Sequence, residues 1–581
     1  MSTEISQSRD YPSIPPAPAQ NEKIAETASI VGYDISSSCP REASDDDLAR
    51  LRHVADAIPK VVWLVAFTGA AQRLAYYGTT VPWQNYLQNP PGHPLSPGAL
   101  GLGQSTATII NNAFLFLGYL SPLPFAIISD SWLGRYKTLL LSLIIFLVGQ
   151  VVLFVTSLPF AVSDKETALA GFIVAMIFMG LGQGGTTAVV FPFICDQIPE
   201  KPPQVIRNHR GEEVVTDANL TIQHVFTLFF WTINIASLIT LATTTLEKSV
   251  GFWAAYLLPL CGLIVSMVPF LLLNGRLTKR PPDGNVLPHA ARVLVLATRS
   301  GFRLTAADPS HQVLLHNDGS FPWTSVFVQE IRRVLRAGRV VLFFVVFYLC
   351  FNQTTTNIIS QANQMQITGV SNDTLQSMDP IFYIILNPLI QNVIFPLLSR
   401  RGISMGPIAR MSAAFLFLAV GTAYTAGVQK VIYSRGPCYT APLACDAGIV
   451  ATFDDATQYR PNEISAWIQI PFHFLCATSQ IFGFVALNEF AYTEAPTNMK
   501  AVVKALEQLT AALGAVLGIA LGPVSKDPWL VIVYAVLSAA TAATGVALYA
   551  TFRAYDDSWY TKDAVGSMEE RSRAENASEI R

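Results

Sequence analysis

Charge is what this chain has least of. Of 581 residues only 13% are charged, about half the share usual in soluble domains, while 51% are hydrophobic. A formal net charge of -2 gives no basic excess for a polyanion, so nucleic acid is not an expected partner. Seven cysteines are too few for a disulfide scaffold, and the sequence has no CxxC pair, no Cys/His cluster and no Walker-type glycine loop. Metal chemistry and ATP-driven pumping therefore have no sequence basis, and no cofactor is expected. No nucleophile constellation supports an enzyme. The first 55 residues lack the basic start and short apolar core of a cleaved signal peptide; rich in Ser, Pro and acids, they are expected to form a disordered cytosolic tail.

What the chain has instead is apolar runs of bilayer-spanning length, roughly 20 residues each. Twelve are read, at 60–84, 101–129, 136–158, 169–194, 222–245, 252–274, 338–361, 378–398, 407–429, 463–488, 501–522 and 527–553. The expected fold is an all-α integral membrane protein of two six-helix bundles: an N-terminal bundle at 56–274, a linker at 275–337, a C-terminal bundle at 338–553 and a tail at 554–581. Basic residues collect in GRYKT after the second span, RLTKR after the sixth and RRGISMGPIAR after the eighth. That bias places those turns and both termini in the cytosol. The plasma membrane is the expected location. On the opposite side, Cys438 and Cys445 lie in a long loop where a disulfide is possible, and Asn372-Asp-Thr is a glycosylation sequon. The stretch SVFVQEIRRVLRAGRVV reads as an amphipathic helix on the membrane surface leading into the seventh span. Trp83 and Trp467, near span ends, read as interface anchors.

The turn FAIISDSWLGRYKTLL carries Asp130, Gly134, Arg135 and Lys137. A short charged turn can pin helix ends in one state of an alternating-access cycle and release them in the other, so Asp130, Gly134 and Arg135 are expected to form a conformational gate. The segment resembles the D-x-x-x-G-R-x-x-T signature of the major facilitator superfamily. FFWTINIASL in the fifth span, FYLCFNQTTTNIISQANQM in the seventh, WIQIPFHFL in the tenth and QRLAYYGTTVPWQNYLQN in the first narrow the resemblance to the proton-dependent oligopeptide transporter family, fungal branch. It runs from about residue 55 to 555.

The departures from the family pattern bear on mechanism. Where the family's first span reads E-x-x-E-R-F-x-Y-Y-G, this chain has Gly69 and Gln72 before Arg73, Tyr76 and Tyr77. Where the fourth span usually has lysine in G-x-G-G-I-K-P, it has Thr187, and the tenth-span S-E-I-F is Ser479-Gln480-Ile481-Phe482. Losing both ends of an ionic cluster costs far less than losing one, and it removes the groups that would carry a proton there. The resemblance implies that Arg73 and Tyr77 face a substrate carboxylate. Candidate binding residues are Arg73, Tyr76, Tyr77, Gln72, Thr187, Asn234, Asn352 and Gln480. Candidates for a relocated proton site are His473, seven residues before Gln480, and Glu507, which is also placed for an i,i+3 pair with Lys504. The preferred reading is a secondary transporter of a peptide-like or peptide-derived small molecule, neutral or monoanionic, with the family's proton site degenerate. The alternatives are a proton-coupled di/tripeptide importer using His473, and a nutrient receptor that does not transport. The expected partners are that substrate, protons under the second reading, and the lipid bilayer.

Overall fold

The computed structural model describes residues 41–44, 47, 50–91, 97–199, 202–207, 212–282, 286–301, 303–309, 323–367, 369–401, 405–442, 444–453, 456–494 and 500–579. Among them eleven helices are long and apolar enough to cross a membrane, from Gln104–Leu133 to Leu530–Asp556. One more helix, Lys60–Thr80, holds the place of the first span. Its inward residues include Thr68, Gln72 and Thr79, all fully buried, which lowers its apolarity without preventing it from packing in the bundle. Two hydrophobic cores result, one from Val62 to Leu277 and one from Ala337 to Leu548.

Close approach of the helices relies on glycine in the fourth span, Lys165–Asp196. A Cβ on Gly182 would stand 2.6 Å from the Phe146 amide nitrogen, and one on Gly180 2.8 Å from Leu117 Cδ2. Small residues let membrane helices pack backbone to backbone, and here they bring the second and third spans against the fourth. The seventh span is interrupted: a helix from Ser325 to Phe351 gives way to a 3₁₀ turn at Asn352–Thr355 and resumes at Asn357–Asn363.

Several expectations are corrected. Residues 41–54 are not wholly without structure: β1 (Arg41–Glu42) and β2 (Arg52–Val54) join β3 (Gln204–Arg207) and β4 (Glu213–Thr216) in a sheet of order β1-β3-β4-β2. The rest of the expected tail, 1–40, lies outside the described residues. SVFVQEIRRVLRAGRVV is not a separate surface helix but the first turns of the seventh span. Its Val328, Ile331 and Val334 are covered by a second amphipathic helix, Val286–Arg299, through Ala290 and Val293. The tenth span begins at Ala466, since Asn462–Ser465 pairs as a strand with Met365–Gln366. The last helix runs on through the expected tail to Glu579. Trp83 is fully buried against Phe114 and Phe172 rather than at an interface, whereas Trp467 is 43% exposed.

The hydrogen bonds that join the bundles gather on the face that carries the Cys438–Cys445 loop. Asn85 and Asn372 exchange amide bonds at 2.8 Å each way, and Asn363 donates to Asn89 at 3.0 Å. Gln104 and Thr108 both donate to Asn357 Oδ1, at 3.1 and 3.2 Å, and Ser105 donates to the Gly522 carbonyl at 2.7 Å. This disulfide face is closed.

Candidate functional site

Arg73 stands in the first span with its side chain partly exposed, and its Nη2 donates to Thr187 Oγ1 at 3.1 Å. Thr187 donates in turn to the Gln183 carbonyl at 2.8 Å, and Gln183 Oε1 accepts from Gln72 Nε2 at 2.5 Å. A neutral chain of Gln72, Gln183 and Thr187 thus stands where the resemblance implies an ionic cluster. Gln183 is the member the sequence did not single out. Gly69 has no room for a carboxylate, because a Cβ there would lie 2.6 Å from Val190 Cγ2 and 3.1 Å from the Phe229 ring. Tyr76 packs edge-on to Tyr77 at 5.2 Å and stacks on Phe114 at 5.8 Å, while Tyr119 meets Tyr348 of the other bundle at 5.7 Å.

The eighth span carries a group that the sequence did not single out. Gln480 Nε2 donates to Asp379 Oδ2 at 2.7 Å, and Asp379 Oδ1 is buried without a hydrogen-bond partner. A carboxyl of the eighth span thus touches the tenth-span glutamine at the position where the resemblance implies a glutamate. Two contacts fix its height. Phe230 of the fifth span meets Tyr383 at 6.3 Å, and Thr240 bonds Ser377 at 2.7 Å. Asn234 and Asp379 lie between those contacts on their respective helices, so they stand level across the seam. Asn234 is partly exposed and donates only to the Phe230 carbonyl of its own helix, at 2.9 Å.

The other candidates are buried and stand apart from the Asp379–Gln480 pair, although Glu507 lies beside Tyr348, the residue that meets Tyr119. Asn352 is 2% exposed and sits in the break of the seventh span rather than in a wall. His473 is 1% exposed, neither ring nitrogen has a hydrogen-bond partner, and it is enclosed by Thr354, Ile358, Asn372, Leu375 and Gln469. Glu507 is 5% exposed and paired with Lys504 at 2.7 Å. In this closed arrangement Asn372 has no room for the expected glycan: its side chain is 2% exposed, and its amide nitrogen is held by Asn85 Oδ1 and the Ile359 carbonyl. Cys438 and Cys445 are joined by a disulfide.

At the charged turn, Gly134 takes φ +74°, a conformation that glycine adopts without strain and other residues rarely do. Arg135 reaches Asp196 at 2.6 Å, and Arg280 reaches the same carboxylate oxygen at 3.4 Å. The turn thus ties the ends of the third, fourth and sixth spans within one bundle. The other bundle has a counterpart in Arg410, which contacts Glu489 at 2.6 Å.

A sequence profile described as the POT family matches residues 136–535. The chain belongs to the POT family. It is 38% identical to the "Peptide transporter PTR_A" of Candidozyma auris over 91% of this chain and 87% of that one. It is 37% identical to the "Probable peptide transporter ptr2" of Schizosaccharomyces pombe over 92% and 84%. A solved structure described as "In meso crystal structure of the POT family transporter PepTSo" superposes with a TM-score of 0.67 at 19% identity, covering 86% of this chain and 99% of that one. This POT-family chain is an integral membrane protein with the major facilitator fold.

Proposed function

We propose that the protein carries short peptides or peptide-like zwitterions across the membrane by alternating access, holding the carboxylate end near Arg73 and Tyr77 and the ammonium end at Asp379. The observation that carries this reading is the buried Asp379 carboxyl, level with Asn234 and braced by Gln480, whose Oδ1 has no N–H or O–H donor and whose other neighbour is the weakly donating Cys476 thiol. The site is short of a strong donor, and a substrate ammonium supplies it as a charge-assisted bond. The relatives named as peptide transporters support the same substrate class. With a cation on one wall and a carboxyl on the other, a zwitterion suits the site better than the neutral or monoanionic metabolite that the bare sequence favours. The basic turns and both termini belong in the cytosol, and the disulfide face belongs in the oxidising exterior of the plasma membrane.

Purified protein in vesicles tests this with dialanine and N-acetyl-dialanine, which lacks the ammonium. Dialanine should be taken up faster than by empty vesicles and preferred over its acetylated form. Asp379→Asn should raise the dialanine KM about tenfold to a hundredfold, the worth of a charged hydrogen bond of about 1.5–3 kcal/mol, and erase that preference. Arg73→Ala should abolish uptake of both compounds. An unchanged preference in Asp379→Asn removes Asp379 from the site, and no uptake of any peptide favours the receptor reading.

A further inference from the structure

Nothing described so far uses the two acids at the centre of the disulfide-face seam. Glu247, in the last turn of the fifth span, is 2% exposed, and Asp373, in the turn Asn372–Ser377 that opens the eighth span, is fully buried. One belongs to the N-terminal bundle and the other to the C-terminal bundle; Glu247 Oε2 and both Asp373 oxygens are buried without a well-formed bond to any N–H or O–H, and the two carboxyls stand close enough to bond one another. Two ionised carboxylates have only acceptors, so that bond needs a proton between them.

The surroundings are built for one shared proton. Thr240, Thr244 and Glu247, spaced by four and three, fall on one helix face. They meet Ser377 at 2.7 Å, Thr374 at 2.9 Å and Asp373 in turn. Asn85 Nδ2 donates to Glu247 Oε1 at 3.0 Å and to Asn372 Oδ1 at 2.8 Å, bracing the pair from the chain that follows the first span. The titratable groups packed around it are Tyr86 and Tyr256, whose rings lie 5.9 Å apart, with His473 beyond Asn372. The nearest cation along the chain, Lys248, donates to the Val370 carbonyl at 2.5 Å. Among the described residues no cation is bonded to either carboxyl.

We propose that Glu247 and Asp373 form a shared-proton latch that holds the disulfide face shut, so that closing this face takes up a proton and opening it releases one. With the proton in place the pair joins the bundles. Without it, two like charges meet in a water-poor seam and push the bundles apart. Opening admits water, separates the acids and lets both ionise. If closing binds one proton, the closed-to-open ratio falls by up to about tenfold per pH unit above the titration of the pair. Acid on the disulfide side then closes the gate behind a loaded substrate. Proton dependence would thus reside at the gate rather than at the neutralised Arg73 cluster.

The proposal rests on alternating access but not on any substrate, so it is tested without one. Full-length protein in lipid nanodiscs, with Cys195 and Cys261 replaced by serine, carries spin labels at the exposed positions 250 and 449, one on each bundle. Label-to-label distances are then measured from pH 5 to 8. The short-distance, closed population should dominate at pH 5 and decline with rising pH. Glu247→Gln supplies an amide donor that needs no proton, so it should stay closed at every pH, and Asp373→Asn should do the same from the other side. The proposal is overturned if the wild-type distances ignore pH. It is equally overturned if both variants keep the wild-type response, or if the response persists in Glu247→Gln and vanishes in His473→Ala.

Discussion

At the scale of single residues, the substitutions around Arg73 act together. Gln72 and Thr187 stand where the resemblance implies charges, and Gln183 links them into one hydrogen-bonded chain. The sequence shows two of these three residues as departures from a family pattern; the third lies one turn before Thr187 and stands out only once the helices are packed. Gly69 is the least replaceable of the set. A single methyl at this position meets the stiff side chain of Val190, so Gly69→Ala should destabilise the fold by about 1–3 kcal/mol, read as a lowered melting temperature in detergent. A Tm equal to wild type would show that the first and fourth spans yield easily there. Asp379 was hidden for another reason. Its hydrogen bond to Gln480 joins residues 101 apart, and no local pattern marks an aspartate in the first turn of an apolar helix as a binding group.

At the scale of elements, spans with high apolarity were legible and their ends were not. The tenth span starts late because the preceding residues find strand partners in Met365–Gln366, a pairing across nearly a hundred residues. The amphipathic run before the seventh span has the right periodicity for a surface helix, yet a second amphipathic helix covers its apolar stripe instead of lipid. The connection between the last two spans holds a further acid, Asp527, which accepts from Gln364 Nε2 at 2.9 Å and from the Tyr433 hydroxyl. Burial pushes its carboxyl up to about 6, against hydrogen bonds that pull it down. The folded chain therefore holds this proton more tightly than the unfolded chain, whose aspartates titrate near ~3.9. The stability this contributes is complete below about pH 4 and is lost as pH rises through about 6. Asp527→Asn keeps an acceptor for both donors and removes the titration, so its melting temperature should vary less than the wild type's between pH 4 and 7. Parallel curves for the two proteins would show that Asp527 is solvated.

At the scale of the whole molecule, the seam on the disulfide face is the feature that sets the observed state. Asn85 contributes to it three times, donating to Glu247 and exchanging two bonds with Asn372. Asn85→Ala leaves buried partners unsatisfied on both bundles, at about 1–3 kcal/mol for each group stranded. The closed population measured by the same spin-label distances should fall by tenfold or more at pH 5, with the fold of each bundle intact. A closed population unchanged at pH 5 would mean that the amide pair is incidental to closure. The sequence by itself determined that this chain spans a membrane, that its spans fall into two halves, and that Gly69, Gln72, Thr187 and Gln480 are uncharged where the resemblance implies charged groups. Apolar length, basic bias and short motifs are local properties, readable without knowing what packs on what. Only the tertiary structure decided which distant polar groups meet: Asp379 with Gln480 inside the C-terminal bundle, and Glu247 with Asp373 and Asn372 with Asn85 across the two bundles, the last where a glycan was expected. Each of those pairings joins residues about a hundred or more positions apart, and the register between packed helices that creates them depends on side-chain fit along the whole interface.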